Sequence, residues 1–110
     1  MVIDELSKFI AAERKLPPEV SAKAKQHILD TVAAMASGSK LKPGRLAINH
    51  ARSQRGKRES TVVGTKLVVP AALAALANGM LAHADETDDT HSESRTHPGC
   101  AIIPAALATA

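Results

Sequence analysis

The sequence predicts an all-α fold: one small domain of four to five helices with at most one short extended segment. Three observations carry that expectation. Apolar residues recur at spacings of three and four along most of the chain. Prolines and glycines mark the joints between those runs, at Pro17-Pro18, Gly38 and Pro43-Gly44. The single β-branched run, Ser60 to Thr65, is too short to make a sheet alone.

The first helix spans roughly residues 2 to 14. Leu6, Phe9 and Ile10, with Val2 or Ile3 one turn earlier, repeat at helical spacing, and Arg14 and Lys15 suit its negative C-terminal end. Leu16-Pro17-Pro18 ends it, because neither proline donates to a helix, and Pro18 fits the first turn of the next. The second helix runs to about Ser37, with Ile28, Val32, Met35 and Ala36 along one face, Leu29 and Ala33 beside it, and Gly38 as its stop. Pro43-Gly44 opens a shorter third helix carrying Leu46, Ala47, Ile48 and Ala51. His27 and His50 are expected at core or boundary positions with one hydrogen bond each.

Ser60 to Thr65, after the charged loop Arg55 to Glu59, is the extended segment. Val69-Pro70 begins a fourth helix with Leu73, Leu76, Ala77 and Met80 on one side. Its many alanines allow burial nearly all round, and Gly79 within it points to the close approach of another backbone. A fifth helix is expected from Pro104. With under two turns before Ala110 it would not be stable by itself, so the sequence reads as cut short at its C-terminal end.

Composition narrows the function classes. The chain has 110 residues, one phenylalanine, and no tryptophan or tyrosine, so its core must be built from small side chains on closely packed helices. Residues 1–82 carry thirteen Lys/Arg against six Asp/Glu, net +7, whereas residues 83–110 carry one against five, net −4. The basic excess peaks at Arg52, Arg55, Lys57 and Arg58 with no aromatics for bases to stack on, which argues against nucleic-acid binding. Cys100 is the only cysteine, the N-terminus has acids where a signal peptide has bases, and no apolar run approaches membrane-spanning length. A cytoplasmic protein with no membrane partner is expected.

Chemistry concentrates in His83 to Pro98, H-A-D-E-T-D-D-T-H-S-E-S-R-T-H-P, which joins two Ala/Leu-rich runs and holds five of the eleven acids and three of the five histidines. A divalent metal is one reading, but the known patterns fit poorly. An EF-hand loop from Asp85 would need glycine at Thr90 and glutamate at Thr96. An Asp-Asp-x-x-Asp site would need an acid at Ser92, one short of Glu93, and His91, His97 and Cys100 match no structural zinc spacing. Acid–base catalysis on an acidic small molecule is another reading. His91 and His97 can exchange protons near neutral pH, Thr90 and Thr96 offer hydroxyls, and Arg95 can grip a carboxylate. A third is plain structure, with Asp88 and Asp89 capping helix ends.

The run A-N-G-M-L-A-H-A-D-E-T-D-D-T-H, followed by T-H-P-G and I-I-P-A-A-L-A, resembles the MmgE/PrpD family, which includes 2-methylcitrate dehydratase, cis-aconitate decarboxylase and iminodisuccinate epimerase. G-T-K-L-V-V-P-A-A-L-A and L-D-T-V-A-A-M-A-S-G are similar to it too, so the resemblance covers essentially the whole chain. It implies that residues 1–110 are the opening part of the helical domain of a longer, homodimeric lyase. That enzyme would work on small carboxylic acids without metal or cofactor, its site completed by residues further along.

Carried across by position, the resemblance puts the family's site-lining acid at Glu86, its threonine at Thr90 and its substrate-contacting histidine at His97. Glutamate stands at 86 where the family has aspartate, and the loop to His97 is one residue longer than in the decarboxylase. The implied chemistry is proton removal next to a carboxylate. His97 and Thr90 serve as anchor and donor, His91 as a second proton carrier, Glu86 as the group that orients or recharges a histidine, Arg95 as a substrate contact, and Asp88 and Asp89 as structure. The competing expectation is a non-catalytic helical association module.

Overall fold

The computed structural model describes residues 1–12 and 14–110. Among the described residues five helices and one small hairpin follow in the order α1 (Val2–Ala11), α2 (Pro18–Gly38), α3 (Lys42–Ser53), β1 (Ser60–Thr61), β2 (Val68–Val69), α4 (Ala71–His83) and α5 (Pro98–Thr109). Helices take 62% of the chain, which makes the fold all-α. α1 ends at Ala11, where Ala12 turns extended; the last turn expected for it includes Glu13, which lies outside the described residues. Pro17 precedes α2 as its N-cap and Pro18 is its first residue, as the missing proline N–H allows.

Two boundaries differ from the sequence reading. Val68 and Val69 do not enter α4 but pair antiparallel with β1, Ser60 opposite Val69 and Thr61 opposite Val68, because β-branched residues ahead of Pro70 favour extended backbone. Gly64, at φ +75°, supplies the left-handed residue of the connecting turn. The fifth helix starts at Pro98, not Pro104, and carries Pro104 in its interior. Proline there leaves the Cys100 carbonyl without its usual i+4 donor. The same carbonyl lies against Gly79, where an added Cβ would come to 2.9 Å from its oxygen. The expected close approach at Gly79 is thus made by the one carbonyl of α5 that Pro104 frees.

α4 is the element on which α2, α3 and α5 all pack. Its buried face is Ala74, Ala77, Asn78, Leu81 and Ala82, mostly small residues that let helix axes draw close. Gly38 belongs to the same contact. A Cβ at Gly38 would collide with the Leu81 carbonyl, and one at Gly44 with the Gly38 carbonyl. Gly38, expected as the stop of α2, is its last residue; Ser39 after it is still right-handed helical at φ −60°, and absence of a side chain is what position 38 requires. Asn78, buried, ties the hairpin to α4: its Oδ1 accepts from Val63 N–H at 2.9 Å and its Nδ2 donates to Thr61 O at 3.0 Å. Glu59 accepts from Ala71 N–H at 3.1 Å, capping α4 from outside and lowering its own pKa.

Large apolar side chains often point outward. On α4, Leu76 and Met80 are 55% and 44% exposed, so the helix is not buried all round. On α2 the buried face is Thr31, Ala34, Met35 and Gly38, rotated from the expected stripe, with Ile28 and Leu29 exposed. α1 has no buried residue; Phe9 is 61% exposed, with the Arg14 guanidinium 3.6 Å above its ring. His27 and His50, expected at core or boundary positions, are both exposed; His27 shares the face of Thr31 and Ala34 but lies one turn ahead of the first buried residue of α2.

Candidate functional site

The chain between α4 and α5 is held at several points by its own polar side chains. Asp85 accepts from Ser37 Oγ of α2 at 2.5 Å and from Thr87 Oγ1 at 2.7 Å, and these two hydroxyls, Ser37 first, lower its pKa. Glu86 follows at φ +56°, a left-handed turn that reverses the chain. His91 and Thr96 form an isolated antiparallel bridge around a tight turn in which Arg95 also has positive φ, +54°. Asp89 Oδ1 accepts from Gly99 N–H at 2.8 Å, satisfying an orphan donor in the first turn of α5.

Asp88 lies at the centre. Its side chain is 1% exposed, and it faces His83 Nδ1 at 3.0 and 3.2 Å and His97 Nδ1 at 3.9 Å. Burying a carboxylate is costly without a partner, and the His83 imidazole is that partner. His97 Nδ1 also lies 2.8 Å from the Asp89 carbonyl oxygen and 3.5 Å from Thr90 Oγ1. A carbonyl only accepts, so Nδ1 carries the hydrogen and gives it to Asp89, leaving Thr90 adjacent rather than bonded. The two imidazoles stand 5.2 Å apart at their centroids. Cys100 closes the cluster from α5, its S–H donating to His97 O at 3.0 Å. Burial, then the hydrogen bond and charge of Asp88 and the charge of Asp89, push its thiol pKa up.

Of the residues singled out in the sequence, the structure brings His97, Thr90, Asp88, Asp89 and Cys100 together and leaves Glu86, His91 and Arg95 outside. His91 turns to Ser94 Oγ at 2.8 Å and Glu93 at 3.1 Å on the exposed turn. Arg95 and Glu86 are exposed, and among the described residues the Glu86 carboxylate reaches no histidine. The carboxylate at hydrogen-bond distance from an imidazole of the cluster is Asp88, on His83, and the sequence reading assigned Asp88 to structure. His83 went unremarked as a site residue, since its five-residue spacing to Asp88 across a helix end is no helical repeat. A histidine closing a helix with an acid just beyond the turn was the available signal.

Ligand atoms of His83, Asp88 and Cys100 lie within 4.8 Å of one another, the grouping of the described residues best suited to a metal. A metal needs the thiolate, and the raised pKa of Cys100 works against it. Beside the cluster an open cleft of about 430 Å³ runs between α2 and α5, walled by Ala24, Ile28, Ile102 and Ile103, with His27, Asp89, Thr90 and His91 at its polar side. Its walls are apolar and, among the described residues, include no Lys or Arg, so a polycarboxylate would find polar contacts there only at His27, Thr90 and His91.

No helix among the described residues is long and apolar enough to cross a membrane. A family model described as the MmgE/PrpD N-terminal domain matches residues 4–110. Neither the curated proteins nor the solved structures yield a match.

Proposed function

Because this chain belongs to the MmgE/PrpD family, we propose that its polar junction contributes to the site of a lyase acting on a small polycarboxylic acid. The reaction is proton removal next to a carboxylate and then loss of hydroxide, as in a 2-methylcitrate dehydratase. Decarboxylation and epimerisation are alternative outcomes of the same first step. The observation that carries the reading is the His97 imidazole, held through Nδ1 at 2.8 Å from the Asp89 carbonyl, so that its Nε2 is left to exchange protons or bind a carboxylate. Pro98 keeps His97 out of helical backbone, at φ −110° and ψ 82°, and keeps that aim constant. Thr90 is the adjacent hydroxyl donor; Glu86, Arg95 and His91, exposed on the loop, would meet substrate from its outer side. In this reading the enzyme is metal-independent, cytoplasmic and homodimeric, the uncovered apolar faces of α1 and α4 offering surface for association.

An enediolate-like intermediate needs cations at the substrate carboxylates. None of the described Lys or Arg residues joins the His83–Asp88–His97 cluster, so the 110 residues alone are expected to show no turnover. The test is incubation of the complete gene product with 2-methylcitrate or cis-aconitate in D₂O, followed by proton NMR. Turnover, or deuterium entering next to a carboxylate, supports the reading; a folded protein that exchanges and converts neither acid overturns it. The exposed face of α1 favours, as a second reading, an association module without chemistry.

A further inference from the structure

We propose that His83 is a second proton-transfer residue of this site and that Asp88 is its positioning residue. The inference deepens the lyase reading and rests on it for its chemistry, though not for its geometry. Asp88 is buried to 1% of its side-chain surface, and its two oxygens lie 3.2 and 3.0 Å from His83 Nδ1. A carboxylate only accepts, so Nδ1 of His83 carries a hydrogen in both the neutral and the charged ring. His97 Nδ1 is fixed in the same way by the Asp89 carbonyl. Both rings therefore hold one tautomer, with Nδ1 turned into the protein and Nε2 free of protein partners among the described residues. The His83 side chain is 49% exposed and that of His97 38%, so both edges are accessible.

Their partners divide the work. The Asp88 carboxylate lies at hydrogen-bond distance from His83, whereas His97 faces a neutral carbonyl at hydrogen-bond distance and the same carboxylate only at 3.9 Å. His83 is the base. Its Nε2 takes the proton from the carbon next to the substrate carboxylate: an N–H bond forms, the C–H bond breaks, and the electron pair moves into the carboxylate as an enediolate. His97, having taken a proton from solvent at Nε2, gives it to the β-hydroxyl. The C–O bond breaks, water leaves, and the enediolate pair closes the double bond. Proton exchange with solvent resets both rings. The substrate class is a β-hydroxy carboxylate.

The ring spacing bears on which reaction the pair can serve. Epimerisation by two bases requires one on each face of a carbon, with reacting atoms about 3–3.5 Å away on either side, hence nitrogens roughly 6–7 Å apart and ring centres further still. Centroids 5.2 Å apart leave no room for a carbon between the rings. His83 and His97 work from one side, which suits elimination.

Two measurements test this. In the chain labelled with ¹⁵N-histidine, long-range ¹H–¹⁵N spectra above pH 8 should show His83 and His97 as Nδ1–H tautomers, and Asp88→Asn should release His83 alone. An Nε2–H tautomer at His83 in the unaltered chain overturns the inference whether or not the protein turns over substrate. In the complete gene product, His83→Ala should lower kcat/KM by about 10²-fold or more, with added imidazole restoring several-fold of it, a rescue that a merely structural histidine would not give. Near-normal activity in His83→Ala, or a folded His83→Ala protein that imidazole does not rescue, overturns the inference and leaves the lyase reading standing. An inactive unaltered protein with both Nδ1–H tautomers in place upholds the fixed pair and removes only the lyase reading.

Discussion

Gly38→Ala tests the packing that places the site. In an exposed helix interior alanine is better than glycine by about 1 kcal/mol, so propensity alone predicts stabilisation. At position 38 the new Cβ would collide with the carbonyl oxygen and come within 2.9 Å of the carbonyl carbon of Leu81, and lie 3.0 Å from Ala84 Cβ. Overpacking usually costs about 1–3 kcal/mol when side chains can shift; here the obstacle is helical backbone, which cannot rotate away. The expected net effect is a loss of about 3 kcal/mol or more. Leu81 lies two residues before His83, so the same change should also disturb the Asp88 cluster. Urea denaturation followed by circular dichroism at 222 nm measures the loss, and Gly79→Ala is the internal control. Its nearest contact is a single carbonyl oxygen at 2.9 Å, so it should cost clearly less than Gly38→Ala. If Gly38→Ala were stabilising, or cost less than Gly79→Ala, close approach of α2 to α4 would not be what selects glycine at 38.

Asn78→Ala leaves Val63 N–H and Thr61 C=O without their partner and should cost about 2–3 kcal/mol in the same denaturation assay. Asp85 and Glu59 both have folded pKa values lowered by hydrogen bonds, Ser37 and Ala71 being the largest causes. Their stabilisation is therefore complete above the ordinary carboxylate range and is lost as pH falls through and below it, from roughly pH 5 toward 3, and Ser37→Ala should flatten the Asp85 part of a stability–pH curve. Because burial and then Asp88 push the Cys100 thiol up, iodoacetamide at pH 8 should label it more slowly than free cysteine, and faster in Asp88→Asn; a fast reaction in the unaltered chain would contradict the described environment. His97→Ala in the complete gene product should keep the helical spectrum and lose about 10²-fold or more in kcat/KM, while His27→Ala, exposed on the cleft wall, should leave stability within about 0.5 kcal/mol.

Helix number, the Pro18 start of α2 and the close approach at Gly79 were legible because proline and glycine chemistry is local. Faces were less so. A stripe read from Leu and Ile side chains assumes that large apolar residues define the inward side, yet α4 buries Ala74, Ala77 and Ala82 and leaves Leu76 and Met80 partly in water. When helices approach through glycine and alanine, the small residues mark the contact. Pro104 misled for a related reason: α5 runs through it, and the freed Cys100 carbonyl lies where Gly79 has no side chain, a fit between distant positions that no local rule contains. In the site, His97 and Thr90 could be found from the motif, but the Asp88 pairing with His83 depends on the turn at Glu86 folding the loop back under the end of α4.

That turn allows a last prediction, which separates a functional Glu86 from a merely solvated one. A non-glycine residue at φ +56° costs about 1–2 kcal/mol, and asparagine tolerates the left-handed region better than glutamate does. With no hydrogen bond from the Glu86 carboxylate among the described residues, Glu86→Asn should raise stability by about 0.5–1 kcal/mol. Arg95→Asn, at φ +54° in the next turn, is the matched comparison and should gain a similar amount. If Glu86 contributes to proton transfer, as the family motif implies, its asparagine variant should be the more stable protein and the slower enzyme. Thermal unfolding and kcat/KM measured on the same preparations decide it. Equal stabilisation of the two variants with undiminished turnover in Glu86→Asn would assign Glu86 to the turn alone, and a destabilised Glu86→Asn would refute the strain argument itself.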